Sequence, residues 1–290
     1  MSHCHAALLP DRAVFRVSGP DAEKFLQGVI TSDLDKTKDG AAVHAGLLSP
    51  QGKILFDFFV VPDGGDGFLV EAAQDKLAEL TKRLGFYRLR AQVEITEMPD
   101  CKVAAVWGGT ARAPDGAIVF TDPRLPDLGA RALLPEDGGI AALSCTEADA
   151  ADYHGHRIGL GVPEGGRDYA FGDTFPHEAL FDQLHGVDFE KGCYVGQEVV
   201  SRMQHRGTTR KRVVPVEGDT PLHSGLEVQA GNVPIGKTGS VHGTRGLALL
   251  RLDRAEGALA KGTPIKAGNA TIKLHKPAFA RFDVPATLPA

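Results

Sequence analysis

The segment Lys191-Gly192-Cys193-Tyr194-Val195-Gly196-Gln197-Glu198 places a lone cysteine between two glycines, with a cation two residues before it and an acid five residues after it. A cysteine acts as a nucleophile or soft metal ligand in its thiolate form, and a neighbouring ammonium group favours that form. Glycines let the backbone take positive φ or approach a ligand closely. The pattern therefore predicts a displayed Cys193 with Lys191 beside its thiol. The alternative is a small buried hydrophobe in a turn, the usual place of an intracellular cysteine.

Two acids stand where acids are usually excluded. Asp57 interrupts the apolar run from Ile54 to Val61, and Glu178 follows Phe175-Pro176-His177. A buried carboxylate must be paired, hydrogen-bonded or protonated, so each is either a structural anchor or a ligand group. Between residues 201 and 212 lie Arg202, His205, Arg206, Arg210, Lys211 and Arg212 with no acid among them. Such a stretch is either a solvated strand leading into the next domain or a grip on an anion: a carboxylate tail, a phosphate or an acidic partner. It lacks the interleaved aromatics of a single-strand nucleic-acid platform. The histidines His154, His156, His177, His185 and His205 offer partners for a Cys/His dyad, but no thiol-hydrolase signature surrounds Cys193, and chance proximity is the reading adopted.

Gly231-Asn232-Val233-Pro234-Ile235-Gly236-Lys237-Thr238 satisfies the phosphate-loop pattern letter for letter. A working loop opens a helix, and Gly239-Ser240-Val241-His242-Gly243 cannot begin one. A β-hairpin without nucleotide is expected. Cysteines at 4, 101, 145 and 193 show no CxxC and no zinc-site spacing, which predicts free thiols, no disulfide and a reducing compartment. His3-Cys4-His5 is read as a frayed end and not as a metal site.

These groups must be positioned by elements whose signals are plain. Ala13 to Val17 reads as a strand; Ser18-Gly19-Pro20-Asp21 starts a helix carrying Ala22, Phe25, Leu26 and Val29. Ile54–Val61 and Phe68–Val70, joined through Asp63-Gly64-Gly65-Asp66-Gly67, form a hairpin. Leu77, Leu80 and Leu84 mark a second helix, Val93–Ile95 and Val103–Trp107 further strands, and Thr146 with Asp149 a capping box before a helix over 150–157. After Arg212 come short apolar runs at 213–216, 226–228, 247–252 and 271–274, punctuated by Gly, Pro, Asn and Asp: a small β-barrel or sandwich. With no GxGxxG in the chain, helices on mixed or antiparallel sheets fit the first two thirds better than a Rossmann array.

At 290 residues the chain has room for two domains with their own cores, and a net charge of -5 argues against a general nucleic-acid binder. The N-terminal residues carry no export signal, and no apolar run approaches the roughly 20 residues of a membrane span. A cytoplasmic protein is expected, without direct nucleic-acid or membrane partners, and a monomer.

With Arg202, the octapeptide around Cys193 is similar to the signature of the YgfZ family, the folate-binding iron-sulfur assembly factors of the aminomethyltransferase (glycine-cleavage T-protein, GcvT) superfamily. The chain resembles most the mitochondrial-type branch. Asp122-Pro123-Arg124-Leu125, Gly129-Ala130-Arg131, Gly161 to Gly165, Phe175 to Glu178 and Gly207 to Arg212 also look like family landmarks, so the resemblance covers nearly the whole chain. It implies an α+β, GcvT-like fold: ferredoxin-like subdomains in a folate-binding body over 1–208, then a C-terminal β-barrel over 209–290. It further implies tetrahydrofolate or a related folate near Asp57, Glu178, Lys191, Tyr194, Gln197, Glu198 and Arg202. Cys193, Lys191 and Asp57 would carry the chemistry. Where relatives have an acid in an R-[IL]-E-x-G stretch, this chain has Gly159.

The expected function is an accessory factor for assembly or repair of iron-sulfur proteins, including tRNA-modifying ones, acting through the Cys193 thiolate. An ordinary turnover enzyme is not expected; the alternative is a tetrahydrofolate-dependent aminomethyl or one-carbon transferase with Asp57 as acid or base. Iron-sulfur sites take about four ligands, so Cys193 would share a transient [2Fe-2S] cluster with a carrier or client protein.

Overall fold

The computed structural model describes residues 4–207 and 209–286. His3 and Thr208, each part of a motif named above, lie outside the described residues. The chain divides into two compact units, one of the described residues up to Tyr153 with Leu184–Val199, the other of His154–Gln183 with the described residues from Val200 onward.

The first unit is built on two antiparallel-rich sheets. Val43–Leu48, Ile54–Pro62, Gly67–Ala73, Arg12–Ser18 and Glu94–Glu97 form one, in that spatial order. Because side chains alternate along a strand, Phe56, Phe58 and Val60 face one side, where the helices Ala22–Gln27 and Leu77–Arg88 cover them with Phe25, Leu26, Leu80 and Leu84. Phe59 and Val61 face the other side, against a second sheet ordered Thr146–Glu147, His5–Leu8, Lys102–Trp107, Ala130–Leu134 and Ile118–Thr121. By chain length alone, layers of this kind are expected to hold without a staple.

A staple is nevertheless present. Cys4 and Cys145 form a disulfide with Cα atoms 4.8 Å apart, which corrects the expectation of free thiols and of a frayed end at Cys4. The physical reason is topological: the parallel pairing of His5 with Thr146 carries the preceding residues together across 141 positions. Cys101 and Cys193 remain free among the described residues.

In the second unit, Lys211–Gly218, Arg245–Arg251, Val233–His242, Glu227–Ala230, Ile265–Ala267 and Ala270–Leu274 close into a barrel around Val214, Val216, Val228, Ile235, Leu250 and Ile272. The α+β architecture and terminal barrel are those expected. Glu227–Ala230 and Val233–His242 are joined through Gly231-Asn232, with Ala230 opposite Val233, so the phosphate-loop lookalike is a hairpin. Thr238, buried, spends its hydroxyl on the His223 carbonyl at 2.8 Å.

Three local expectations are corrected. Gln197–Arg206 is a helix and not part of a strand: Glu198 in its first turn and His205 and Arg206 in its last complement the helix dipole, outweighing the β-branched Val199-Val200 pair. Leu252–Leu259 forms an unexpected helix, with Leu252, Ala255 and Leu259 buried at helical spacing. Thr146 does not cap the helix Ala150–Leu160; it lies in a strand, and the Asp149 N–H donates to the Asp152 carboxylate at 3.2 Å.

Candidate functional site: the Cys193 loop

The loop before the helix Gln197–Arg206 is held from beneath by Lys191. Its buried ammonium donates to the carbonyls of Gln27 at 2.8 Å, Ile30 at 2.8 Å and Ser32 at 2.9 Å. Gln27 ends the six-residue helix Ala22–Gln27, so no further helical turn follows to bond its carbonyl, and Ile30 and Ser32 lie just beyond it. One long cation satisfies all three. Burial pushes Lys191 down to about 8, against the opposing pull of Asp33 and Asp188.

Asp188 ties the same segment from the other side. Its Oδ1 accepts from the Glu190 and Lys191 N–H groups at 2.8 and 3.0 Å, and its Oδ2 pairs with Lys36 at 2.6 Å. Burial by itself would raise the Asp188 carboxyl; the Lys36 and backbone donors hold it below the usual range. Tyr194 is buried with the Lys191 ammonium 5.4 Å from its ring centre, and burial, reinforced by Asp188, pushes its phenol up to about 12.

Gly196, at φ 81°, sits so close to the Ser49–Lys53 turn that a Cβ would lie 2.5 Å from the Ser49 carbonyl oxygen. That turn closes with the Ser49 N–H on the Lys53 carbonyl at 2.8 Å. Gly192 has no such constraint: a Cβ there would meet nothing within 4 Å. Lys191, Tyr194 and Gly196 thus anchor the loop, and Cys193 between them is exposed. The lysine expected beside the thiol is committed to three interior carbonyls. Its ammonium ties down the segment that displays Cys193.

Asp57 lies on the strand Ile54–Pro62, which the Ser49–Lys53 turn introduces, on the face shared with Phe59 and Val61. It is buried, and its charge acts on His44, which stands two residues along the neighbouring strand from the position opposite it: Gly46 opposes Asp57 and His44 opposes Phe59. His44 is held neutral. Burial, with the Arg124 charge, lowers it to about 4, and its Nδ1 lies 3.3 Å from the Leu184 carbonyl.

Beside these lies a polar cluster that single-residue reasoning does not reveal. Asp122 accepts from Arg124 Nε at 3.0 Å and Nη2 at 2.7 Å, while Arg131 Nη2 donates to the Tyr153 hydroxyl at 2.8 Å. Both guanidiniums lie over the Phe59 ring, at 4.9 and 5.4 Å. Burial would raise the Asp122 carboxyl, but the two arginines override it and hold it below the usual range. The only sequence signal for this cluster is the pair of landmarks around Asp122 and Arg131.

The remaining expected site residues fall as follows. Gln197 and Glu198 open the helix, Gln197 half-buried and Glu198 exposed. In the second unit Arg202 is exposed on that helix, and Glu178 serves its own turn, its Oε2 accepting from the Phe175 N–H at 2.9 Å. Within the basic stretch, Arg212 is not an available cation: it is buried, forks onto Asp182 at 2.8 and 2.9 Å, and donates to the His177 carbonyl at 2.9 Å. Arg206 and Arg210 are exposed. Gly159 carries no side chain, and a Cβ there would meet nothing within 4 Å.

Of the two free thiols among the described residues of the first unit, that of Cys193 is the exposed one, displayed on an anchored loop. Among the described residues no group of three or more His, Cys, Asp or Glu side chains is placed to hold a metal ion. Asp57 in this unit is a buried carboxylate, a group able to accept N–H donors such as those of a pterin.

Comparison with known proteins agrees with this architecture. Residues 12–115 match the GCVT N-terminal domain family, and residues 210–282 match the CAF17 C-terminal beta-barrel domain family. The crystal structure of glycine cleavage system aminomethyltransferase T from Bartonella henselae superposes with a TM-score of 0.77, covering 96% of this chain and 87% of that one at 15% identity, which establishes the shared fold. The human iron-sulfur cluster assembly factor IBA57, mitochondrial, is 34% identical over 279 residues, 87% of this chain and 78% of that protein. The IBA57 homologs of Neurospora crassa and Mycosarcoma maydis are 34% and 37% identical over 71% and 72% of this chain, which spans only 52% and 56% of their lengths. All three are named as mitochondrial proteins, a finding that overturns the expectation of a cytoplasmic one. The chain thus belongs to the family of the iron-sulfur cluster assembly factor IBA57, within the GcvT-like superfamily that carries a CAF17-type C-terminal barrel.

Proposed function

We propose that this protein assists the maturation of iron-sulfur proteins by presenting the Cys193 thiolate as one ligand of a cluster whose remaining ligands come from a carrier or client protein. The observation that carries this reading is an exposed thiol on a loop anchored by the buried Lys191 ammonium. Anchoring matters because a ligand already ordered loses little entropy when it binds. On coordination the thiol proton passes to solvent, and no electron is transferred. A [2Fe-2S] centre takes about four protein ligands, so a single thiolate implies a heteromeric site.

The direct test mixes the protein with an A-type iron-sulfur carrier under reconstitution conditions and compares wild type with Cys193→Ser. Wild type should yield a heterodimer with a [2Fe-2S] absorption and dichroism signature. The variant, changed in stability by less than about 1 kcal/mol, should lose that species. A cluster of equal yield with the serine variant, or one formed by this chain alone, sinks the proposal.

Folate is proposed as the small-molecule ligand, with Asp57 as its acceptor, and enzymes that modify tRNA as clients. Calorimetry with tetrahydrofolate on wild type and Asp57→Asn tests the first. The fold and the buried Asp57 also favour a second reading, a folate-dependent one-carbon transferase. Turnover of an aminomethyl donor that survives Cys193→Ala would select it.

A further inference from the structure

Phe86 and Leu89 are 64% and 88% exposed, at the C-terminal end of the helix Leu77–Arg88. The same helix buries Leu80 and Leu84 completely, so its core-facing stripe is already filled, and these two large apolar side chains belong to the solvent face. Leu89 also has φ 45°, a conformation that an L-residue adopts at a cost and that glycine would adopt freely. A leucine so exposed, held at positive φ, buries little surface to offset that cost.

Cations surround the pair. Lys82 and Arg83 lie one turn before Phe86, and Arg90 directly follows Leu89; all three are exposed and their side chains make no hydrogen bond or ion pair among the described residues. Arg88 is exposed and donates to the Val93 carbonyl at 3.3 Å. Within residues 82–90 there is no acid, on a chain whose net charge is -5. The patch is thus a local inversion of the molecule's charge with two apolar tips within it.

We propose that this helix end is a docking surface for an anionic lipid bilayer, with the cations at phosphate depth and Phe86 and Leu89 inserted beneath them. The charge complementarity is direct, and the order of chemistry matches that of a bilayer edge: hydrocarbon-compatible tips flanked by long stems that carry charge. Lysines and arginines without fixed partners suit headgroups that can rearrange around them. Among the described residues no helix is long and apolar enough to cross a membrane, so the contact is peripheral.

The test is sedimentation of the full chain with vesicles of phosphatidylglycerol and phosphatidylcholine, or of phosphatidylcholine alone. Wild type should pellet with the anionic vesicles only, and high salt should release it. Leu89→Gly removes an apolar tip and relieves the backbone, so the variant should melt no lower than wild type yet bind more weakly. Each of Arg83→Ala and Arg90→Ala should weaken binding about fivefold. Failure of wild type to pellet, or variants that bind equally well, overturns the proposal. A dimer abolished by Leu89→Gly would assign the patch to a second copy of this chain. Polyaspartate bound as tightly as vesicles, regardless of Leu89, would assign it to an acidic protein.

Discussion

Lys191 illustrates how one buried side chain can hold a loop without contacting the thiol that the loop displays. Removing its ammonium would leave the carbonyls of Gln27, Ile30 and Ser32 without their donor. Lys191→Met should therefore cost about 3 kcal/mol, read as a shift in denaturant midpoint, whereas Cys193→Ala should be nearly neutral. Equal stability of the two variants would mean that the loop is not anchored as described. His44 supplies a pH dependence with a definite sign. Its folded form resists protonation until about 4, while the unfolded chain takes up the proton near 6.5, so stability present above 6.5 is lost as pH falls through that window. At about 1.4 kcal/mol per unit this amounts to roughly 3 kcal/mol. Asp122 and Asp188, held low, also lose stability on acidification. The discriminating measurement is thus a difference: between pH 7 and pH 4, His44→Gln should lose about 3 kcal/mol less than wild type.

Elements decide what motifs mean. Lys237 follows a glycine in a phosphate-loop pattern, but it occupies a strand paired with Leu249, and no helix N-terminus follows to hold a phosphate. Lys237→Ala should leave stability within about 0.5 kcal/mol, and the wild-type chain should give no heat with ATP in calorimetry. ATP binding that disappears in the variant would contradict the hairpin. The converse case is the helix Gln197–Arg206, which turns part of a supposed basic strand into a helical face with Arg202 and Arg206, while Arg212 withdraws into the barrel unit to pair with Asp182.

For the molecule as a whole, the Cys4–Cys145 disulfide closes a loop of 141 positions within the first unit. The chain-entropy model puts the stabilisation from so long a loop at about 5 kcal/mol as an upper figure. Reduction should lower the melting transition of the first unit and leave that of the barrel unit in place. Scanning calorimetry with and without dithiothreitol, with a Cys4→Ser/Cys145→Ser variant as control, checks this. A single transition unmoved by reduction would show that the bond contributes nothing.

What residue order alone determined is local. The hairpin of Ile54–Pro62 with Gly67–Ala73, the leucine face at Leu77, Leu80 and Leu84, the barrel's punctuation and the hairpin over residues 231–238 follow from periodicity and turn residues that act over a few positions. The octapeptide around Cys193 was legible as well, together with the exposure of its thiol. Tertiary structure decided the partners. Lys191 reaches carbonyls more than 150 residues away, Cys145 meets Cys4 through a parallel strand pairing, and Asp122 gathers arginines around a phenylalanine from another sheet. Spacing in the chain cannot specify such meetings, because which face of which sheet a side chain shares is set by packing of whole layers.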